Sequence, residues 1–144
     1  MFEVLMVGAD DTETAKRAVE VATDIAAMYG ATLHIVTAFE KGSRRGDVGP
    51  EFTHVHTEDD GLALLQTLSF VAKKKNIEAK LHSVMGDAAN ALLEKAKELG
   101  ADLVVVGNRG MRGLHRVLGS VPNSVAHNAP CSVLIVDTVG SSSD

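Results

Sequence analysis

Apolar residues gather in five short runs, and between the runs they recur three and four positions apart. The runs are Val4 to Val7, Leu33 to Phe39, Ile77 to Val84, Leu103 to Val106 and Val133 to Val136. Consecutive apolar positions over so few residues mark strands buried on both faces; the run from Ile77 alternates only in part. Helical spacing follows the first run, with Ala15, Ala18, Val19, Ala22, Ile25, Ala26 and Tyr29 on one face, stopped by Gly30. A second helix opens on the acidic stretch Thr57-Glu58-Asp59-Asp60, carries Leu62, Leu65, Leu68 and Ala72, and ends in Lys73-Lys74-Lys75. Acid at its start and base at its end both suit the helix dipole. A third helix follows Gly86-Asp87, with Ala89, Leu92, Leu93, Ala96 and Leu99 on one face and Gly100 at its end. A short fourth helix, Gly119 to His127, is broken by Asn128-Ala129-Pro130.

Strands and helices alternate, and the strands are apolar on both sides. This predicts an α/β fold: an open, doubly wound, five-stranded parallel sheet with helices on both faces, Rossmann-like, in one domain over residues 1–139. Residues 40–57, rich in Gly and mixed charge, read as a long surface loop, and 140–144 as a disordered tail. Ligands of such sheets sit beyond the strand C-termini where the winding reverses. With the first and fourth strands as central neighbours, the loops after Val7 and Val106 flank that crevice.

Composition narrows the partners. The chain of 144 residues carries a net charge of −5, is 3% aromatic and has no Trp. An acidic chain poor in stacking side chains is a poor nucleic-acid binder. No apolar run approaches the ~20 residues of a membrane helix. No leader pattern is visible, and the one cysteine, Cys131, reads as a small buried residue, so a cytoplasmic location is expected. Against the acidic background, Gly107 to Gly119 holds Arg109, Arg112, Arg116 and His115 and no acid. A buried strand that hands a glycine-rich basic loop to a helix start is a means of holding an anion. Glycines admit close backbone approach, arginines pair with phosphate, and the helix N-terminus at Ser120 offers free N–H groups.

From Val4 to Val136 the chain resembles the universal stress proteins of the nucleotide-binding branch. Gly107-Asn108-Arg109-Gly110 and Gly119-Ser120-Val121 match the two ends of that branch's glycine frame. The spacer Met111 to Leu118 has eight residues, one fewer than the family's. Val7-Gly8-Ala9-Asp10 matches the end of the family's first strand, with Asp11-Thr12 in place of Gly-Ser. The resemblance implies ATP, or else AMP or cyclic AMP, held by Ala9, Asp10, Ala38, Val106, Gly107, Arg109, Gly110, Arg112, Gly119, Ser120 and Val121. Asp10 would lie near the adenosine or a Mg²⁺ ion, and Ala38 and Val106 beside adenine. It also implies a homodimer through the edge strand 133–136 and a stress-response regulatory role.

Three alternatives stay open: a slow Mg-dependent ATPase, a cyclic-nucleotide binder, and a dimeric interaction module with no nucleotide. No hydrolase triad, Gly-x-Ser-x-Gly elbow or P-loop lysine is present. The histidines, including His54 and His56, lack metal-ligand spacing and read as surface residues. Asp11 reads as a helix cap that also sets a second negative charge near the phosphates.

Overall fold

The computed structural model describes residues 1–10, 13–40, 57–108 and 120–137. Five strands, β1 (Val4–Gly8), β2 (Thr32–Phe39), β3 (Lys80–Met85), β4 (Leu103–Gly107) and β5 (Ser132–Val136), form one sheet in the order β3-β2-β1-β4-β5. Every pairing is parallel. Four helices alternate with them: α1 (Glu13–Tyr29), α2 (Glu58–Lys73), α3 (Ala88–Leu99) and α4 (Ser120–Asn128). This is the expected α/β architecture, with β1 and β4 as central neighbours.

The period of two along each strand divides the core. Leu5, Val7, Leu33, Ile35 and Val105 pack with residues of α1 and α2. Met6, Val36, Val104 and Val106 pack with Leu92 and Ala96 of α3 and Val125 of α4. β1 and its helix thus build on one face, and β4 and its helix on the other.

Most helix limits follow local chemistry. Thr57 caps α2: its hydroxyl accepts from the Asp60 N–H at 3.1 Å, while the Asp60 carboxylate accepts from the Thr57 N–H at 3.2 Å, a complete capping box. Asp87 caps α3 through the Asn90 N–H. Gly100 ends α3 at φ 67, a left-handed conformation that a Cβ disfavours.

Three expectations shift. The third strand starts at Lys80, not Ile77. Asn76 turns at φ 64, and the Ile77 N–H returns to the Ala72 carbonyl at 3.1 Å, so the first residues of that run finish α2's turn. Leu62 and Tyr29 belong to predicted apolar faces but stand exposed; α2 instead presents Gly61, Leu65, Leu68, Val71 and Ala72 inward. At Gly61 the helix comes so near the sheet that an added Cβ would run into the Ser83 hydroxyl. Tyr29 packs edge-on against Phe2 with ring centroids 5.5 Å apart. The loop assigned to 40–57 and the tail 140–144 fall almost wholly outside the described residues, which resume at Thr57.

The N-terminal end of the sheet is closed by Asp102. Its carboxylate accepts from the backbone N–H of Glu3 at 2.9 Å and of Val4 at 3.2 Å, and its own N–H donates to the Val4 carbonyl at 2.9 Å. The opposite end, where β1 and β4 finish, is the one left to a site.

Candidate functional site

Because β5 is parallel to β4, α4 must run back from the C-terminal end of β4 to the N-terminal end of β5. Its first residue, Ser120, therefore lies at the same end of the sheet as Gly8 and Gly107. An α-helix leaves its first four N–H groups without intrahelical partners, and these face that end. Here α1 departs to one face and α4 to the other, which opens a crevice between β1 and β4.

Ala9 and Asp10 continue from β1, and both are half-buried. The Ala9 N–H donates to the Val36 carbonyl at 2.9 Å, which ties the start of this loop to β2. Ala38 lies two residues further along β2, half-buried, opposite Val84 of β3. Gly8 packs closely: a Cβ there would stand 2.7 Å from Leu92 Cδ1. A larger residue there would require Leu92 of α3 to move aside.

On the other side of the crevice, Val106 is buried among the residues that face α3 and α4, so its side chain serves the core. Gly107 pairs with Val136 as the last rung of the β4–β5 ladder. Asn108 follows. It is only 2% exposed, and its N–H donates to the Val136 carbonyl at 3.0 Å while its Nδ2 donates to Asp137 Oδ1 at 3.2 Å. Ser120 is exposed and Val121 half-buried at the start of α4.

The structure thus brings Ala9, Asp10, Ala38, Val106, Gly107, Ser120 and Val121 to one end of the sheet. Arg109, Gly110, Arg112 and Gly119 lie outside the described residues, as do Arg116, Asp11 and the spacer Met111 to Leu118. Among the described residues no group of three His, Cys, Asp or Glu could hold a metal ion. Asp10 could supply one carboxylate to Mg²⁺, the remaining ligands coming from phosphate oxygens and water, as is usual for that ion.

The chain is similar to known proteins over nearly its whole length. The sequence matches the universal stress protein family over residues 1–137. The chain belongs to this family. Universal stress protein A homolog 2 of Coxiella burnetii is 33% identical, over 96% of this chain and 97% of that protein. Universal stress protein Rv1636 of Mycobacterium tuberculosis is 33% identical, over 95% of this chain and 97% of that protein. A crystal structure of a universal stress protein in complex with cAMP superposes with a TM-score of 0.77 at 34% identity, covering 95% of this chain and 98% of that one.

Two features of this universal stress protein escaped the sequence reading. Asp137 is the first: a polar residue just after an apolar run, like Asp10 after β1, marks the end of a strand. The histidines are the second. His34, read as a surface residue, is buried, and its Nδ1 lies 2.9 Å from Nε2 of His82. They stand on one face of neighbouring strands, since β2 and β3 pair Val36 with His82. Burial holds both below the ordinary imidazole value, His82 adds to the effect on His34, and Lys80 and Lys95 depress both. Cys131 is half-buried, and burial pushes its thiol up, with Asp102 adding to the effect. Both effects favour the protonated thiol over the thiolate.

Proposed function

We propose that this universal stress protein binds an adenine nucleotide between the C-terminal ends of β1 and β4 and works as a homodimeric regulator. The carrying observation is the meeting, at the point where the winding reverses, of both ends of the glycine frame, Gly107 and Ser120, with Ala9 and Asp10. Support comes from the 34%-identical relative in complex with cAMP. The nucleotide's base would lie toward Ala38, and its phosphate toward Gly107, Gly110, Arg109, Arg112, Gly119 and the N–H groups of Ser120 and Val121.

ATP is the ligand that the glycine frame implies; cyclic AMP is the reading favoured by that complex and by charge. Asp10 and Asp137 follow the C-terminal ends of β1 and β5, and Asp11 adds a third acid next in sequence to Asp10. Each additional phosphate charge meets their repulsion, whereas a cyclic monophosphate carries one charge. ATP would need Mg²⁺ on Asp10 to offset it. Calorimetry of the purified protein with cyclic AMP, AMP and ATP, each with Mg²⁺ and with chelator, tests this. The expected order puts cyclic AMP first, with ATP gaining from Mg²⁺ and losing that gain in Asp10→Asn. Gly110→Val should abolish binding of all three with melting unchanged; binding that survives it would overturn the assignment. A phosphate-release assay on ATP in the same samples separates a binder from a slow ATPase.

For the dimer, β5 lies at a sheet edge with Val133, Leu134 and Ile135 half-buried. Antiparallel pairing with the same strand of a second copy would cover that edge. Leu134→Pro removes a ladder donor and should turn the dimer into monomer or aggregate by light scattering. A parent protein that is monomeric at micromolar concentration defeats the proposal.

A further inference from the structure

Asn108 is a polar side chain in a buried place, at the point where β4 gives way to the glycine frame. Burying an amide is unfavourable unless its hydrogen bonds are made, and an apolar residue would fill the same space without that cost. What Asn108 adds is direction. The β4–β5 ladder has its last strand pair at Gly107 and Val136. Asn108 extends it beyond that point by two bonds, one from its backbone N–H to the Val136 carbonyl and one from its side-chain Nδ2 to Asp137 Oδ1. Asp137 is exposed, so the carboxylate reaches in from the surface to a buried amide. The pair fixes the backbone of Gly107 and Asn108, the residues from which the frame departs.

We propose that Asn108 and Asp137 form a clamp that sets the height and angle of the Gly107 backbone toward a bound nucleotide's phosphate, with Asp137 as a positioning residue that touches no ligand. This rests on the nucleotide reading of the crevice. It assigns Asp137 an effect opposite in sign to its charge. As a bare carboxylate near a phosphate it would weaken binding, and its removal would strengthen it. As the anchor of Asn108 it strengthens binding, and its removal weakens it.

The two roles separate in two substitutions. Asp137→Ala removes both anchor and charge. Asp137→Asn removes the charge and keeps a carbonyl oxygen able to accept from Asn108 Nδ2. The probes are cyclic AMP and AMP, titrated by calorimetry, with amide hydrogen exchange at Asn108 followed in the nucleotide-free protein. The clamp predicts roughly fivefold to tenfold weaker binding in Asp137→Ala, the equivalent of about one ordinary hydrogen bond. Asp137→Asn should match or exceed the parent's affinity. The Asn108 amide should exchange faster in Asp137→Ala and at the parent's rate in Asp137→Asn, and the melting temperature should fall only in Asp137→Ala, where the buried Asn108 amide loses this acceptor. Equal tightening in both variants would overturn the clamp and leave Asp137 a charge only. Unchanged affinity in Asp137→Ala, or unchanged exchange, would overturn it too. A parent protein that binds neither probe would overturn the nucleotide reading, and the positioning role with it, while the exchange data would still report whether the clamp orders the strand end.

Discussion

On the face covered by α1 and α2, Leu5, Val7, Leu33 and Ile35 meet Val19, Ala22, Leu65 and Leu68 in a large aliphatic layer. On the face covered by α3 and α4 the layer is smaller, built on Met6, Val36, Val104 and Val106, and it is interrupted. Gly8 gives up its side chain to Leu92, and His34 turns to His82. Asn108, at the end of β4, is buried as an amide. The same strands serve both faces, so strand composition does not explain the contrast. Its cause lies in particular positions: Gly8 and Asn108 stand where β1 and β4 end, and His34, opposite Met6 within the sheet, meets His82 of β3. The first face is organised for burial of apolar area, and the second carries the residues that shape the strand ends.

The largest effect should come from cutting into the first face. Leu65 is fully buried between α2 and the sheet. Leu65→Ala should cost about 3 kcal/mol of unfolding free energy, from lost transfer energy and the cavity left behind. Nucleotide affinity in the folded fraction should stay at the parent's value. Urea unfolding with calorimetry on the same samples checks both, and an affinity loss of tenfold or more would show that the two faces are not separable.

A cut into the second face should damage both properties at once. Gly8→Val places a branched side chain where even a Cβ lies 2.7 Å from Leu92 Cδ1. Overpacking of this kind costs about 1–3 kcal/mol. It also pushes the end of β1 away from α3, next to Ala9 and Asp10. Leu92→Ala in the same chain should recover part of the stability and part of the affinity, a coupling that a double-mutant cycle measures. Strict additivity would place the damage elsewhere.

The first face has one polar flaw, and removing it should stabilise. Thr37 and Ser83 are cross-strand partners on β2 and β3, and their hydroxyls are buried with no hydrogen-bond partner among the described residues. The close approach of α2 at Gly61 presses on the same spot. Thr37→Val keeps the branched shape and deletes the unpaired hydroxyl. It should raise stability by about 1 kcal/mol. A loss instead would show that Thr37 Oγ1 has a partner that the valine cannot replace.

The architecture was legible because it rests on local rules. Consecutive apolar residues in Val4–Val7 and Leu103–Val106 called for strands buried on both sides, and Thr57 with Asp60 called for a helix start. The placement of Gly8, Gly107 and Ser120 at one end of the sheet was legible as well, from the parallel order. What stayed hidden depends on register and distance. Asn108 reads as a variable position within Gly-x-x-Gly, and only the β4–β5 pairing turns it toward Asp137. His34 and His82 are 48 residues apart, and nothing local joins them. The start of β3 differs for a related reason: Ile77 is apolar enough for a strand, yet its N–H closes a helix turn.

The smallest effect, and the one most specific to the second face, is in pH. His34 and His82 share a hydrogen bond through Nδ1 and Nε2, with Lys80 of β3 and Lys95 and Glu98 of α3 as the charged groups around them. Burial is the main cause that holds both rings below the ordinary value of 6.5, and only Glu98 opposes it, at His82. Both rings are therefore neutral in the fold over a range where the unfolded chain takes up protons. Well above pH 6.5 neither state is protonated there, and the pair's contribution is fully present. As pH falls below 6.5 the unfolded chain gains protons that the folded chain does not, and stability is lost until the folded rings also titrate. In His34→Asn/His82→Gln the amides stand where Nδ1 and Nε2 stood, so the hydrogen bond can persist without titration. Urea midpoints between pH 7.5 and 5 should then fall more steeply in the parent than in this variant. Leu65→Ala should shift the midpoint without changing that pH dependence, because its damage lies on the other face. Parallel curves for the parent and the histidine variant would show that the pair does not couple protons to folding.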